Sequence, residues 1–94
     1  MAFLMVSSAD TRAQYDEVAR LLGDLATDRP AGLLAHVAAE QPDGTVRIVD
    51  LWRSRDDVAA FGRDRILPAF VKAGLPDLAD RPQPEAHEAF EVVL

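Results

Sequence analysis

The chain has no cysteine. Disulfides, thiol nucleophiles and cysteine-held metals are therefore excluded. Long hydrophobic runs are also missing. The opening "MAFLMVSSAD" has no basic stretch, and its apolar run "AFLMV" is too short to cross a bilayer. The expectation is a cytoplasmic, soluble protein with no membrane partner. No run of five or more basic residues occurs, and the net charge is −6. Nucleic acid is thus an unsuited partner, because phosphate binding needs a positive footprint. There is no glycine-rich phosphate loop and no dinucleotide fingerprint. No internal repeat is present, and neither His-x-His nor Glu-x-x-His spacing occurs. A metal site drawn from His36, Glu40, Asp50 and His87 is accordingly disfavoured, and no metal is expected.

What the chain does have is a hydrophobic fraction of 49% over 94 residues. That composition excludes a disordered chain and fits a single domain, 1–94. A domain of this size buries roughly 60–65% of the surface its unfolded chain exposes, so added contact area would help it. Residues 2–6 read as a short buried strand ended by Ser7 and Ser8. In "DTRAQYDEVARLLGDLATD", Tyr15, Val18, Leu22 and Leu25 recur at the helical period, with Asp10 or Ser8 as the expected cap and Pro30 and Gly32 as the stop. Strands follow at 33–40 and 45–53. "SRDD" opens a second helix, with Ser54 and Asp57 as a capping pair. Val58, Phe61, Ile66 and Phe70 give that helix an apolar stripe, and Pro68 predicts a kink or a fresh helix near Leu67. Ala73 to Glu85 reads as a long irregular connection of the kind that often forms a lid or arm. "HEAFEVVL", 87–94, reads as a last strand.

The order is βαββαβ, the ferredoxin-like pattern of the α+β class. Right-handed crossovers put both helices on one face of a four-stranded antiparallel sheet. The other face should then be polar, yet neither face of the two middle strands is: Val37, Ala35, Val49 and Leu51 alternate with residues that are themselves largely apolar. A contiguous apolar patch of this kind marks an association surface. The expectation is a homodimer packed sheet to sheet.

The turn "QPDGT" fixes the register. Pro42 and Asp43 suit the centre of a type I turn, and Gly44 supplies the left-handed residue of a G1 bulge. Gln41 then pairs with Thr45. Counting back places His36 opposite Asp50 and Leu34 opposite Trp52. Directly opposed side chains on one face are within reach of each other. Asp50 would hold one ring nitrogen of His36, leaving the other to act as base or donor. The same pair also reads as a polar cross-strand contact that merely satisfies itself. Trp52 serves as a stacking platform on one reading and as core or interface on another. Arg47 and Arg53 could hold an anion or pair with the many carboxylates. Ser7, Ser8 and Ser54 carry no nucleophile signature.

The segments "YDEVARLLG", "PAGLLAHVA" and "DGTVRIVDLWRSRDDVAAFGRDRILPAF", in this order, resemble the dimeric α+β barrel proteins of the antibiotic biosynthesis monooxygenase group, over nearly the whole chain. The resemblance implies a cleft between helices and sheet in each subunit, lined here by Tyr15, His36, Asp50, Trp52, Phe61 and Phe70. Members of the superfamily include cofactor-independent quinone-forming monooxygenases, haem-degrading enzymes, polyketide cyclases and stress-response proteins. The implied activity is a monooxygenase-like reaction without a cofactor on an aromatic or polyketide-like molecule. His36 and Asp50 would be catalytic, and Tyr15, Trp52, Phe61 and Phe70 would bind substrate. The alternative is a non-catalytic dimeric module that binds a small apolar ligand or acts in a stress response. The chain departs from the group in one respect: it contains no asparagine, whereas such monooxygenases usually bring an asparagine and a tryptophan to the substrate. Haem degradation also leans on asparagine and on a histidine in a helix, and both histidines here fall on predicted strands.

Overall fold

The computed structural model describes residues 1–75 and 83–94. The elements are β1 (Phe3–Ala9), α1 (Arg12–Leu22), β2 (Leu33–Glu40), β3 (Val46–Trp52), α2 (Arg55–Phe61), a π-helical turn (Gly62–Ile66), α3 (Leu67–Ala73) and β4 (Glu85–Glu88). The strands form one antiparallel sheet in the order β2-β3-β1-β4. This is the ferredoxin-like α+β arrangement. Part of the connection expected over Ala73 to Glu85, with its reading as a lid or arm, lies outside the described residues. Among the described residues, no helix is long and apolar enough to cross a membrane.

The 41–45 turn forms as its residues dictate. Gly44 N–H donates to Gln41 O, Gln41 N–H donates to Thr45 O, and Gly44 sits at φ 89°. The register follows from it: Glu40 faces Val46, Ala38 faces Ile48, and His36 faces Asp50. The expected pairing fails one step further on. A bulge between Leu33 and Ala35 sets Leu33, not Leu34, opposite Trp52. The cause lies before the strand, where Gly32 at φ 84° accepts a bond from Arg53 N–H and fixes the strand start one residue out of step.

Three further boundaries differ from the sequence expectation. Thr11, rather than Asp10 or Ser8, caps α1, its hydroxyl accepting from Gln14 N–H at 3.0 Å. Ser7 and Ser8 do not end β1, because Ile48 and Arg47 on β3 continue the ladder beside them. The last strand is Glu85–Glu88 and not 87–94. Its partner β1 begins at Phe3, and the final bond runs from Ala89 N–H to Ala2 O. Beyond that point no further strand pairs with it among the described residues, and Phe90 is fully exposed.

As Pro68 predicts, a fresh α-helical segment, α3, opens at Leu67 with the proline in its first turn, after a π-helical turn that follows α2. The turn at 62–66 widens, and Leu67 N–H donates to Gly62 O, five residues back. The wider turn accommodates a residue that clashes with, and cannot donate to, an ordinary α-ladder. The helix closes at Gly74 in a Schellman arrangement, with Leu75 N–H on Phe70 O and Gly74 N–H on Val71 O.

The sheet has two dissimilar faces. Toward the helices stand the rows Phe3–Trp52–Leu33, Met5–Asp50–His36, Ser7–Ile48–Ala38 and Ala9–Val46–Glu40. Away from them stand Leu4–Leu51–Ala35 and Val6–Val49–Val37, two apolar rows that no helix covers among the described residues. The core sits at the rim of the helix side, in Phe3, Ala9, Leu33, Val46, Trp52 and Ala69. No residue of α1 is buried, although its sheet-facing stripe is apolar. That stripe walls a cavity instead of closing a core.

Candidate active site

The cavity lies between the helices and the sheet and measures about 590 Å³. A sealed, dry void of that size would cost on the order of 14 kcal/mol at about 24 cal/mol per Å³, comparable with the whole stability of such a domain. The space is therefore an open cleft built to be filled. Its wall takes Val18 and Leu22 from α1, Ile48 from β3, Val58 from α2 and Ile66 from the π-helical turn. All six side chains singled out in the sequence stand on this wall: Tyr15, His36, Asp50, Trp52, Phe61 and Phe70.

Two of the aromatic residues make the floor. Trp52 is 2% exposed and meets Phe61 with ring centroids 5.2 Å apart at 44°. That tilted contact adds to the area both rings bury. Arg55 lies over the Phe3 ring at 4.9 Å and covers the outside of this corner. Phe70 lines the wall farther along, from α3.

The polar end of the cavity is a chain of three side chains from three elements. His36 Nδ1 lies 2.5 Å from Asp50 Oδ1, across the β2–β3 register. His36 Nε2 lies 2.8 Å from the Tyr15 hydroxyl, one turn into α1. The Tyr15 and His36 ring planes are nearly parallel, 9° apart, with centroids 6.4 Å from each other. A carboxylate can only accept, so Nδ1 carries the proton and Nε2 accepts from the phenol in the neutral ring. The contact with Asp50 follows from the turn. The contact with Tyr15 was not foreseen, since sequence spacing marks Tyr15 as sheet-facing but cannot give the distance between helix and strand.

Burial governs the electrostatics here. Asp50 is pushed above the usual carboxylate range by desolvation, against the pull of its bond to His36. Tyr15 is raised above the ordinary phenol value, first by burial and then by the Asp50 charge, so its hydroxyl stays protonated at neutral pH. Among the described wall residues there is no lysine or arginine, while Asp24 and Asp50 are acidic. The described lining is thus largely apolar, and its charged groups are negative.

A second recess of about 320 Å³ touches the outer side of the same pair and is bordered by Arg12, Tyr15, His36 and Glu40. The cavity rim at 24–26 is tied down by Arg65, whose guanidinium donates to Leu22 O at 2.8 Å and to Asp28 O at 3.0 Å. The other candidates are placed elsewhere. Arg53 pairs with Asp57 at 3.1 Å, and His87 stands on β4 beside Glu85, away from His36. Among the described residues no group of three or more His, Asp and Glu side chains is arranged to hold a metal ion.

This fold, with a cleft between helices and sheet, is shared by solved structures of the antibiotic biosynthesis monooxygenase type. A Caulobacter crescentus protein provisionally described as an antibiotic biosynthesis monooxygenase superposes with a TM-score of 0.67 at 21% identity, over 96% of this chain and 91% of that one. Rv0793 from Mycobacterium tuberculosis matches at 0.71 and 16% identity over the full length of both. The monooxygenase from the gene ActVA-Orf6 of Streptomyces coelicolor, solved with the ligand nanaomycin D, matches at 0.60 and 21% identity, over 99% of this chain and 89% of that one. The chain thus has the architecture of the antibiotic biosynthesis monooxygenase-like proteins, and at these identities the likeness is one of fold. No family model matches the chain, and no curated protein matches it at a significant level.

Proposed function

We propose that this protein is a cofactor-independent, monooxygenase-like enzyme that acts on a neutral aromatic or polyketide-like small molecule. One observation carries the reading: an acid–base pair, His36 held by Asp50, is set at one end of a largely apolar cavity of about 590 Å³. Such a pocket binds fused rings by area and orients them by few polar contacts. His36 is the base, and Trp52, Phe61 and Phe70 hold the rings. Removing an acidic proton from a compound such as anthrone leaves an electron-rich anion that can reduce O2 directly. Recombination and loss of water then turn a ring methylene into a ketone, with one O2 consumed and one water released. The Streptomyces coelicolor monooxygenase of the same fold, solved with nanaomycin D, supports this choice of ligand class.

The same reading has the protein working as a homodimer joined through the apolar sheet face of Leu4, Val6, Val37, Val49 and Leu51. Val37 is 59% exposed in the single chain, and two unbroken apolar rows are more than scattered surface residues. A two-fold dimer is the simplest closed assembly that covers them. Light scattering after size exclusion should give twice the chain mass at micromolar protein.

The activity is tested by oxygen uptake and anthraquinone formation with anthrone. His36→Ala should lower kcat/KM by about 10²–10⁴, the usual contribution of a general base. Unchanged turnover in that variant removes the mechanism. Saturable anthrone binding without turnover in the wild type gives the protein to the non-catalytic, ligand-binding alternative.

A further inference from the structure

Both ring nitrogens of His36 are occupied, Nδ1 by Asp50 at 2.5 Å and Nε2 by the Tyr15 hydroxyl at 2.8 Å. His36 therefore has no free lone pair to offer a substrate in the cavity. The one group on that line with both a lone pair and a proton to pass on is the phenol. We propose that Tyr15 is the catalytic residue that receives the substrate proton, and that His36 takes the phenol's own proton in the same step. The proposal rests on the enzymatic reading above.

The step balances. The substrate's acidic X–H bond breaks and its proton bonds to Tyr15 Oη. The Tyr15 O–H bond breaks and that proton bonds to His36 Nε2. The products are the substrate anion, a neutral tyrosine and an imidazolium whose Nδ1–H stays on the Asp50 carboxylate. No oxidant takes part in this step. The 2.8 Å contact between Tyr15 Oη and His36 Nε2 is short enough for the second transfer. Tyr15 starts and ends neutral, which suits a phenol in half-buried surroundings next to a negative charge. The groups that face the pair are Arg12 and Asp16 from α1, Glu40 from β2 and Asp50 from β3. The recess beside Arg12 and Glu40 is bordered by both Tyr15 and His36, so the proton can leave His36 Nε2 by way of the Tyr15 hydroxyl.

Tyr15 is the chain's one tyrosine, so biosynthetic 3-fluorotyrosine marks it alone. Anthrone turnover is measured for wild type, Tyr15→Phe and His36→Ala, with the Kd for anthraquinone in parallel and kcat followed across H2O–D2O mixtures. Tyr15→Phe should lose about 100-fold or more in kcat while its Kd moves less than threefold. Wild-type kcat should bend with deuterium fraction, because two protons move together. Full activity in Tyr15→Phe with an inactive His36→Ala overturns the role of Tyr15 and leaves the base in place. Full activity in both overturns the parent reading as well. A linear deuterium dependence, which a purely positional tyrosine gives, also overturns the relay. If Tyr15→Phe does not fold, the fluorotyrosine protein, whose phenol is more acidic, decides. Its 19F resonance should shift when His36 is replaced by alanine and its kcat should change severalfold; neither change overturns the proposal.

Discussion

Replacing Trp52 by alanine tests whether the cavity floor is also the main structural member of this domain. Trp52 borders the cleft and is nevertheless only 2% exposed. Nearly all of its ring is therefore packed against protein. Truncating a buried aromatic residue costs roughly 3–5 kcal/mol. A chain of this length holds about 5–14 kcal/mol in total. Each kcal/mol corresponds to about 4–8 °C at this size. The Trp52→Ala protein should thus melt at least about 12 °C lower. Trp52→Phe, which keeps a ring against Phe61 at the 5.2 Å contact, should lose about half as much or less. Circular dichroism at fixed protein concentration is the assay, because the chain's one tryptophan is lost in the variant and the proposed dimer would make the melt depend on concentration. A Trp52–Phe61 double-mutant cycle should return about 0.5–1.5 kcal/mol of coupling. A fall under about 4 °C for Trp52→Ala would show that the ring is not packed as described.

Two other outcomes follow from the same geometry. Because burial raises the Asp50 pKa, the folded state holds that proton more tightly than the unfolded chain does. The associated stability is complete below about pH 4, the unfolded carboxylate value, and is lost as pH climbs through the folded value. Measured against Asp50→Asn by urea unfolding, wild type should lose relative stability as pH rises above about 4, and a flat difference contradicts the burial argument. The same variant should lose turnover, since a neutral amide stabilises the imidazolium less and can turn its NH2 to Nδ1, which fixes the wrong tautomer. Gly32→Ala should destabilise more than Gly44→Ala. Both glycines have positive φ, worth roughly 1–2 kcal/mol each on substitution. Only at Gly32 would the new methyl group run into Asp57, 2.6 Å from its Cβ, and Asp57 also holds Ser54 and Arg53. Equal losses in thermal melts would rule out that clash.

The parts of the fold that could be read from the chain are those set by local chemistry. Pro42, Asp43 and Gly44 define one turn, the turn defines the register, and the register brings His36 to Asp50. The spacing of Tyr15, Val18 and Leu22 likewise sets which side of α1 meets the sheet. What could not be read depends on distance between elements or on partners outside the local pattern. The Leu34 bulge comes from how Gly32 anchors to Arg53. "FEVVL" alternates like a strand but, among the described residues, finds no strand edge beyond Ala2. Pro68 announces the fresh helix at Leu67, but not the widened turn before it. The link from Tyr15 to His36 depends on the spacing between helix and sheet, and the cavity depends on α1 standing off from the strands.

The most direct test of the central claim is the protonation of the His36 ring in the ligand-free protein. With two histidines in the chain, the long-range 1H–15N correlations of each ring are resolved and assigned by a His87→Gln variant. Asp50 accepting at Nδ1 and Tyr15 donating at Nε2 require the neutral ring to be the Nδ1–H tautomer, with Nε2 showing the 15N shift of an acceptor. A ring protonated at Nε2 with an unprotonated Nδ1 would mean that Asp50 does not hold it, and the assignment of His36 as base would go with it.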